Sequence, residues 1–193
     1  MAVSLQKPVC AQDYVVRVAT IADAKEIHEV VNKAFERDAF RNRPRATLER
    51  INGYFLDGQH TFLVIKVTEN KITKIASLLL YSTDKAAETP TEGNIHMLSA
   101  RPEFWGQKMS HTLLKKAEEW ALKEKKDKIR LIVANTNQGL MKFYQNIGYK
   151  LTGEKFHLPE GVINPKFLKK NADGSNSIFA WHMEKELKLK AAL

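Results

Sequence analysis

The stretch from Ile95 to Leu114 constrains the fold more than any other segment of the chain. It opens with an apolar run typical of a buried strand, passes through Pro102 and Gly106, and continues with apolar residues at helical spacing. This order predicts a strand, a loop and then a helix. The first backbone N–H groups of a helix have no intrahelical partner and carry partial positive charge, so they suit a phosphate group. We therefore expect a phosphate-bearing ligand at this loop.

The segments on either side predict a mixed α/β domain. Apolar runs predict strands at 14–18, 61–67, 75–81, 129–134, 149–157 and 178–183, and helical spacing predicts helices at 21–35, 48–56 and 138–146. A tight turn is expected at 69–71, and Gly148 is expected to end the last helix. The polar segment 82–93 is predicted to be a loop. We expect a single domain over 14–187, with an N-terminal arm at 1–13 and a C-terminal tail at 188–193.

Composition indicates one soluble domain with a basic bias. The 193 residues are enough for a well-buried core, with 44% hydrophobic and 27% charged residues as in ordinary globular proteins. The single cysteine, Cys10, excludes an internal disulfide and a multi-cysteine metal site. No apolar run reaches the ~20 residues that span a bilayer, and the first residues lack a signal-peptide core. We therefore expect a cytoplasmic protein with no metal and no membrane contact, either a monomer or a homodimer.

The net charge of +9 favours an anionic partner. Much of the excess lies in one run of basic residues, namely Lys115, Lys116, Lys123, Lys125, Lys126, Lys128 and Arg130. Such a run is most often a solvated helix face, and the alternative is nucleic-acid binding. No interleaved aromatic residues and no zinc-ligand spacing accompany the run, so nucleic acid ranks last among the expected partners.

Three segments in a fixed order resemble the GNAT superfamily of acetyl-CoA-dependent N-acetyltransferases. They are the strand, loop and helix at 95–121, the strand, asparagine, helix and Gly–Tyr pair at 130–149, and the segment 150–156. The resemblance covers the chain from Val16 to Met183. It implies a GNAT-like acyl-CoA N-acyltransferase fold, in which a central, mostly antiparallel mixed sheet is flanked by helices. It also implies acetyl transfer to a primary amine of a small molecule or peptide, by direct attack on the thioester.

The same resemblance assigns a set of cofactor-binding residues for acetyl-CoA. The backbone of Met97, Leu98 and Ser99 would pair with the pantetheine arm, and either Asn135 or Asn137 would contact the cofactor. Phe143 and Tyr144 would close the site, with Tyr144 placed to protonate the departing thiolate; its alternative role is that of a core aromatic residue. The loop facing the pyrophosphate would consist of Trp105, Gly106, Gln107, Lys108, Met109 and Ser110.

This loop departs from the family pattern at three positions. Family members commonly have Arg or Gln at the place of Trp105, Gly at that of Lys108, and Gly or Ala at that of Ser110. Lysine adds a side chain where glycine would allow close backbone approach and positive φ, but it also adds a positive charge beside the pyrophosphate. The alternative to an enzyme is therefore a GNAT-fold module that binds a ligand or partner through a degenerate pyrophosphate loop, with little or no activity.

The general base and the acceptor site have several candidates. His96 lies in the strand beside the expected thioester, and Glu92 precedes that strand; each also has a packed or solvated alternative. Strand alternation predicts His96 on the face opposite Ile95 and Met97. Deprotonation of the amine by water, without a protein base, is a further alternative. Arg41, Arg43 and Arg45 could bind an acidic group of the acceptor or form a solvated basic loop.

Overall fold

The computed structural model describes residues 14–83, 91–159, 161–172 and 174–187. The predicted N-terminal arm and C-terminal tail lie outside the described residues, as does most of the predicted loop at 82–93. The helices are α1 (Ala24–Phe35), α2 (Leu48–Leu56), α3 (Met109–Lys123) and α4 (Gln138–Asn146), and the strands are β1 (Val15–Val18), β2 (His60–Glu69), β3 (Ile72–Thr83), β4 (Glu92–Ala100), β5 (Lys128–Ala134), β6 (Lys150–Phe156) and β7 (Ala180–Glu186).

The seven strands form one mixed sheet in the order β1-β2-β3-β4-β5-β7-β6. Every neighbouring pair is antiparallel except β4 and β5, which run parallel and are joined through α3. A parallel pair requires such a crossover, because the chain must return to the starting edge before the next strand. The predicted fold class is confirmed.

The sheet separates two apolar cores. Successive side chains of β2 point to opposite faces of the sheet. Phe62 and Val64 lie in the core that packs against α1 and α2, and Leu63 and Ile65 lie in the core that packs against α3 and α4. The larger side chains in these cores are almost fully buried, and each contributes ~1.5–3 kcal/mol of transfer free energy. No helix in the described ranges is long and apolar enough to cross a membrane.

Local sequence signals placed several element boundaries correctly. The helices α2 and α4 have the predicted bounds, and Gly148 ends the turn after α4 with φ of 97°. The turn between β2 and β3 is confirmed by positive φ at Asn70 and Lys71. The prediction of a loop over 82–93 was wrong at both ends, because Ser82 and Thr83 belong to β3 and pair with Asn94 and Gly93 of β4.

Candidate active site

Strands β4 and β5 separate halfway along their length. They pair from Glu92–Lys128 to Ile95–Leu131, and the sheet as described has no pair between their later residues. Over those later residues β4 stays paired with β3, and β5 stays paired with β7. The facing edges of residues 97–100 and 132–134 therefore carry backbone groups with no partner strand, and we call this opening the β4–β5 gap. Such edges can bind an extended ligand through backbone hydrogen bonds.

A β-bulge at Met97 begins the separation. Leu80 pairs with His96 and Leu78 pairs with Ser99, so one β3 residue faces both Met97 and Leu98. Met97 has φ of 52°, and the Ser99 hydroxyl donates a 2.8 Å hydrogen bond to the Met97 carbonyl. The bulge moves Met97 into the α1–α2 core while Ile95 packs in the α3–α4 core. The prediction that Ile95 and Met97 share a face was therefore wrong, because the extra residue interrupts the alternation.

The loop before α3 has the backbone shape that glycine favours. Lys108 is the residue immediately before α3 and has φ of 59°, and Gly106 has φ of 79°. An L-residue in this left-handed region loses ~1–2 kcal/mol relative to ordinary helical geometry. Lys108 therefore adopts a left-handed conformation that glycine would adopt at little cost. Helix α3 begins at Met109, so the backbone N–H groups of Met109 and Ser110 lack intrahelical acceptors.

Trp105 connects this loop to the end of α1. Its indole N–H donates a 3.1 Å hydrogen bond to the Ala100 carbonyl, and the Arg37 guanidinium carbon lies 3.5 Å from the centroid of its ring. Sequence analysis did not identify Arg37, because nothing in the local pattern around it indicates a contact with a distant loop. The structure therefore brings a cation to the loop, next to the position where Trp105 replaces the usual Arg or Gln.

Tyr144 is buried in the α3–α4 core. Its ring lies 5.4 Å from that of Phe143 and 5.6 Å from that of Tyr149, measured between centroids. The same core contains Ile95 of β4 and Val133 of β5, the strands that form the gap. Burial raises the pKa of the Tyr144 phenol above its ordinary value, so the group stays protonated at neutral pH. It can therefore act as a hydrogen-bond or proton donor.

The two asparagines at the end of β5 make local hydrogen bonds. Asn137 caps α4, because its side-chain oxygen accepts a 3.1 Å hydrogen bond from the Leu140 N–H. The Asn135 side chain donates to the Ser177 carbonyl and accepts from the Phe179 N–H, at 2.9 and 3.2 Å. Both side chains hold the segments beside the gap, and cofactor contact by either one stays a prediction.

The family model for the acetyltransferase (GNAT) family matches residues 25–149 of the chain. The chain belongs to the GNAT family. That match includes β4, the loop before α3 and helix α4 of this GNAT domain.

Solved structures agree with this assignment at the level of the fold. The ribosomal-protein-S18-alanine N-acetyltransferase from Escherichia coli superposes with a TM-score of 0.66 at 12% identity, over 94% of this chain and 99% of that one. A GNAT-family acetyltransferase from Streptococcus pneumoniae gives 0.64 at 19% identity, over 91% and 100%. A spermidine N-acetyltransferase chimera from Vibrio cholerae and hSSAT gives 0.63 at 15% identity, over 90% and 95%. No curated protein matches the sequence.

The two candidate bases of the GNAT domain lie in different surroundings. Glu92 forms ion pairs with Lys128 at 3.0 Å and Arg130 at 3.3 Å; burial alone would raise its pKa, but these two partners lower it. It lies where β4 and β5 are still paired, before the gap. His96 Nε2 lies 3.0 Å from the Ser82 hydroxyl oxygen, directly before the bulge. Burial, with His60 and nearby arginines, lowers the His96 pKa to about 4, so the imidazole is neutral at pH 7.

The three predicted substrate arginines do not share one environment. Arg41 and Arg45 are half-buried, and each has its guanidinium over the Phe35 ring, at 5.5 and 5.3 Å from the centroid. Arg43 is exposed. The structure therefore brings Arg41 and Arg45 together and leaves Arg43 outside the group.

Glutamates pair with several residues of the basic run in α3 and β5. Lys116 pairs with Glu119 at 3.2 Å, and Arg130 contacts Glu154 at 2.6 Å in addition to Glu92. Lys126 is buried rather than solvated. These contacts offset much of the local positive charge, which favours a structural role for the run over nucleic-acid binding.

Proposed function

We propose that the protein is an acetyl-CoA-dependent N-acetyltransferase that acts on a primary amine of a small molecule or peptide. The observation that carries this proposal is the β4–β5 gap, which begins at the Met97 bulge and lies on the two strands that α3 joins. An extended pantetheine arm and a diphosphate are the two parts of CoA that this arrangement would accommodate.

The residues at the gap fit such a cofactor. The free edge of β4 at Met97, Leu98 and Ser99 would supply backbone hydrogen bonds to the pantetheine amides. The first N–H groups of α3 would face the diphosphate. Two positive charges would lie nearby, namely Lys108 in the loop itself and Arg37, which follows α1 and contacts Trp105. The left-handed backbone at Lys108 is one that glycine favours, which supports cofactor binding over the alternative of a degenerate loop.

The side chains around the gap supply proton transfer. Acetyl-CoA would provide the acetyl thioester to be attacked by the amine. Tyr144, which is protonated at neutral pH, would donate its phenolic proton to the thiolate as the carbon–sulfur bond breaks, and the phenolate would then regain a proton from solvent. The imidazole of His96 is neutral at pH 7, so it would accept the proton that the attacking amine loses, directly or through water, and then pass it to solvent. Glu92 forms ion pairs with Lys128 and Arg130, so we do not propose it as the general base.

Titration with acetyl-CoA tests the cofactor step. We expect saturable binding by calorimetry, and a Lys108→Asp variant that binds several-fold more weakly because a carboxylate repels the diphosphate. Lys115→Asp, an exposed change further along α3, is the matched control and should bind nearly as the wild type does. Absence of binding at millimolar acetyl-CoA would refute the proposal.

A panel of primary amines tests the transfer step. Release of free CoA thiol is measured with each amine, and the acetylated amine is identified by mass spectrometry. Transfer to at least one amine is expected. Tight acetyl-CoA binding together with no transfer across the panel would favour the non-enzymatic module.

A further inference from the structure

The loop that carries Arg41 and Arg45 is fixed at both ends. Asn32 of α1 holds Ala46 through hydrogen bonds to its carbonyl and N–H, at 2.9 and 3.1 Å. Phe40 is buried against Ile163 and Ile178, and its carbonyl accepts a 2.7 Å hydrogen bond from the Asn164 N–H. The two guanidinium groups are therefore positioned by packing, and we call them the arginine pair.

The arginine pair has more positive charge than its surroundings neutralise. Arg41 contacts Asp38 at 3.3 Å, yet its Nε atom is buried without a hydrogen-bond partner. Arg45 makes no hydrogen bond or ion pair with any residue that the structure describes; its guanidinium lies instead over the face of the Phe35 ring. Two half-buried cations thus share one carboxylate, with the exposed Arg50 also nearby.

Such an arrangement is unfavourable unless an anion completes it. Burial, together with the charges of Arg41 and Arg50, lowers the pKa of Arg45 to about 10, and Tyr54 and Asp38 offset only part of this shift. At neutral pH the group is nevertheless charged, so it loses hydration without gaining an acceptor. A planar anion can accept paired hydrogen bonds from guanidinium groups, which is the geometry that arginine recognises best.

The arginine pair lies on the acceptor side of the expected reaction. The charge of Arg45 acts on His96, which immediately precedes the Met97 bulge on β4. The His96 ring lies 6.3 Å from that of His60, which packs against Tyr54 of α2, and Arg45 lies over Phe35 of α1. Arg45 and His96 are therefore on the α1–α2 side of the sheet, whereas Tyr144 and α3 pack on the other side. An anion bound by Arg45 would therefore lie near the middle of β4.

We propose that Arg41 and Arg45 bind a carboxylate of the amine acceptor, so that the substrates are small amines that also carry a carboxylate. This inference rests on the proposed acetyltransferase function and narrows its substrate class. Arg43, on the same loop but exposed, takes no part in the binding.

Matched acceptors test the inference by kinetics. Glycine, β-alanine and 4-aminobutyrate are each compared with their carboxamides, which retain the amine and lack the charge. We expect kcat/KM of the wild type to be about tenfold or more higher for at least one acid than for its carboxamide. Arg45→Met should reduce this ratio to within about threefold and leave acetyl-CoA affinity unchanged, and Arg43→Met should keep it. Equal rates for every acid and its carboxamide, or an unchanged ratio in Arg45→Met, would overturn the inference.

A binding measurement that needs no turnover tests the arginine pair separately from the proposed acetyltransferase activity. The N-acetyl derivatives of the same acids and carboxamides are titrated into the wild type and Arg45→Met, with thermal shift as the readout. Tighter binding of the N-acetyl acids by the wild type alone supports the arginine pair even if no amine is acetylated. Equal binding of N-acetyl acids and carboxamides counts against it even if the enzyme is active. Preference for aminomethylphosphonate over glycine would overturn the carboxylate assignment in favour of a phosphate-bearing acceptor.

Discussion

The Arg37 guanidinium carbon lies 3.5 Å from the centroid of the Trp105 ring, which connects the end of α1 to the loop before α3. Trp105 is anchored in turn by its hydrogen bond to the Ala100 carbonyl at the end of β4. The loop at the start of α3 is thereby supported by an aromatic ring and a cation from a different part of the chain. A cation held at this point can attract the diphosphate of a cofactor.

Arg37→Gln is expected to weaken acetyl-CoA binding by roughly three- to tenfold at low salt, because a positive charge near the diphosphate is lost. The difference should shrink at high salt, where screening weakens the interaction of exposed charges. Calorimetry at two salt concentrations measures it, with Arg43→Gln as the matched control. Equal affinity of Arg37→Gln and wild type at low salt would remove Arg37 from the cofactor site.

Lys108→Gly is expected to raise the free energy of unfolding by ~0.5–1 kcal/mol. Glycine adopts the left-handed conformation without the strain that lysine has, but the greater conformational entropy of glycine in the unfolded chain offsets part of this gain. Urea denaturation measures the change. Lys115→Gly, at an exposed position inside α3, should instead lower it by ~1 kcal/mol. A destabilised Lys108→Gly would show that the lysine side chain stabilises the loop in a way the backbone does not reveal.

Tyr144→Phe is expected to lower kcat by roughly 10²-fold or more while changing acetyl-CoA affinity little, because the proton donor is removed and the buried ring is kept. Steady-state kinetics and calorimetry separate the two effects. Tyr149→Phe, which loses a hydrogen bond to Glu118 in the same core, is the control for a purely structural change. If both variants lost the same activity, Tyr144 would have no special role as donor.

Asp23→Asn is expected to lower the free energy of unfolding by ~2–4 kcal/mol at pH 7, because Arg17 and Lys66 at 2.8 and 2.9 Å lose their common carboxylate. Burial by itself raises the Asp23 pKa, but hydrogen bonds from Arg17, Thr20 and Lys66 outweigh it and hold the pKa well below its usual range. The ionised carboxylate therefore stabilises the fold above the unfolded pKa of ~3.9, and this contribution is lost as the pH falls towards the folded pKa. The difference between wild type and variant should be ~1 kcal/mol smaller at pH 3 than at pH 7, and an equal difference at both pH values would contradict this account.

His96 is expected to remain neutral from pH 8 down to about pH 5, since its pKa is lowered to about 4. A histidine in an unfolded chain titrates near ~6.5, so the folded state binds fewer protons and its stability falls as the pH drops from 6.5 to 4. NMR of the imidazole carbons measures the titration, with the urea-unfolded protein as the reference. Titration of the His96 signal near pH 6.5 would contradict the lowered pKa and the buried environment that causes it.

Local chemistry in the sequence was sufficient for several helices and for the fold class. The bounds of α2 and α4 were predictable because Thr47 and Asn137 cap their first turns through the N–H groups of Arg50 and Leu140. The order of apolar strands and helices, with the strand, loop and helix at 95–121, predicted the mixed sheet that the structure has. These signals act over a few residues, so they can be identified in the sequence without the tertiary structure.

The contacts that define the candidate site depend on residues far apart in the chain, and only the tertiary structure decided them. The Met97 bulge depends on how β4 pairs with β3, and the Arg37–Trp105 contact depends on where α1 ends relative to the loop. The half-buried positions of Arg41 and Arg45, in contrast to the exposed Arg43, depend on the burial of Phe40. The sequence by itself determined the strand, loop and helix around Gly106 and the presence of lysine at position 108. Packing determined that Lys108 has a left-handed backbone and that Arg45 forms no ion pair with a described residue, because both outcomes depend on which distant segments come together.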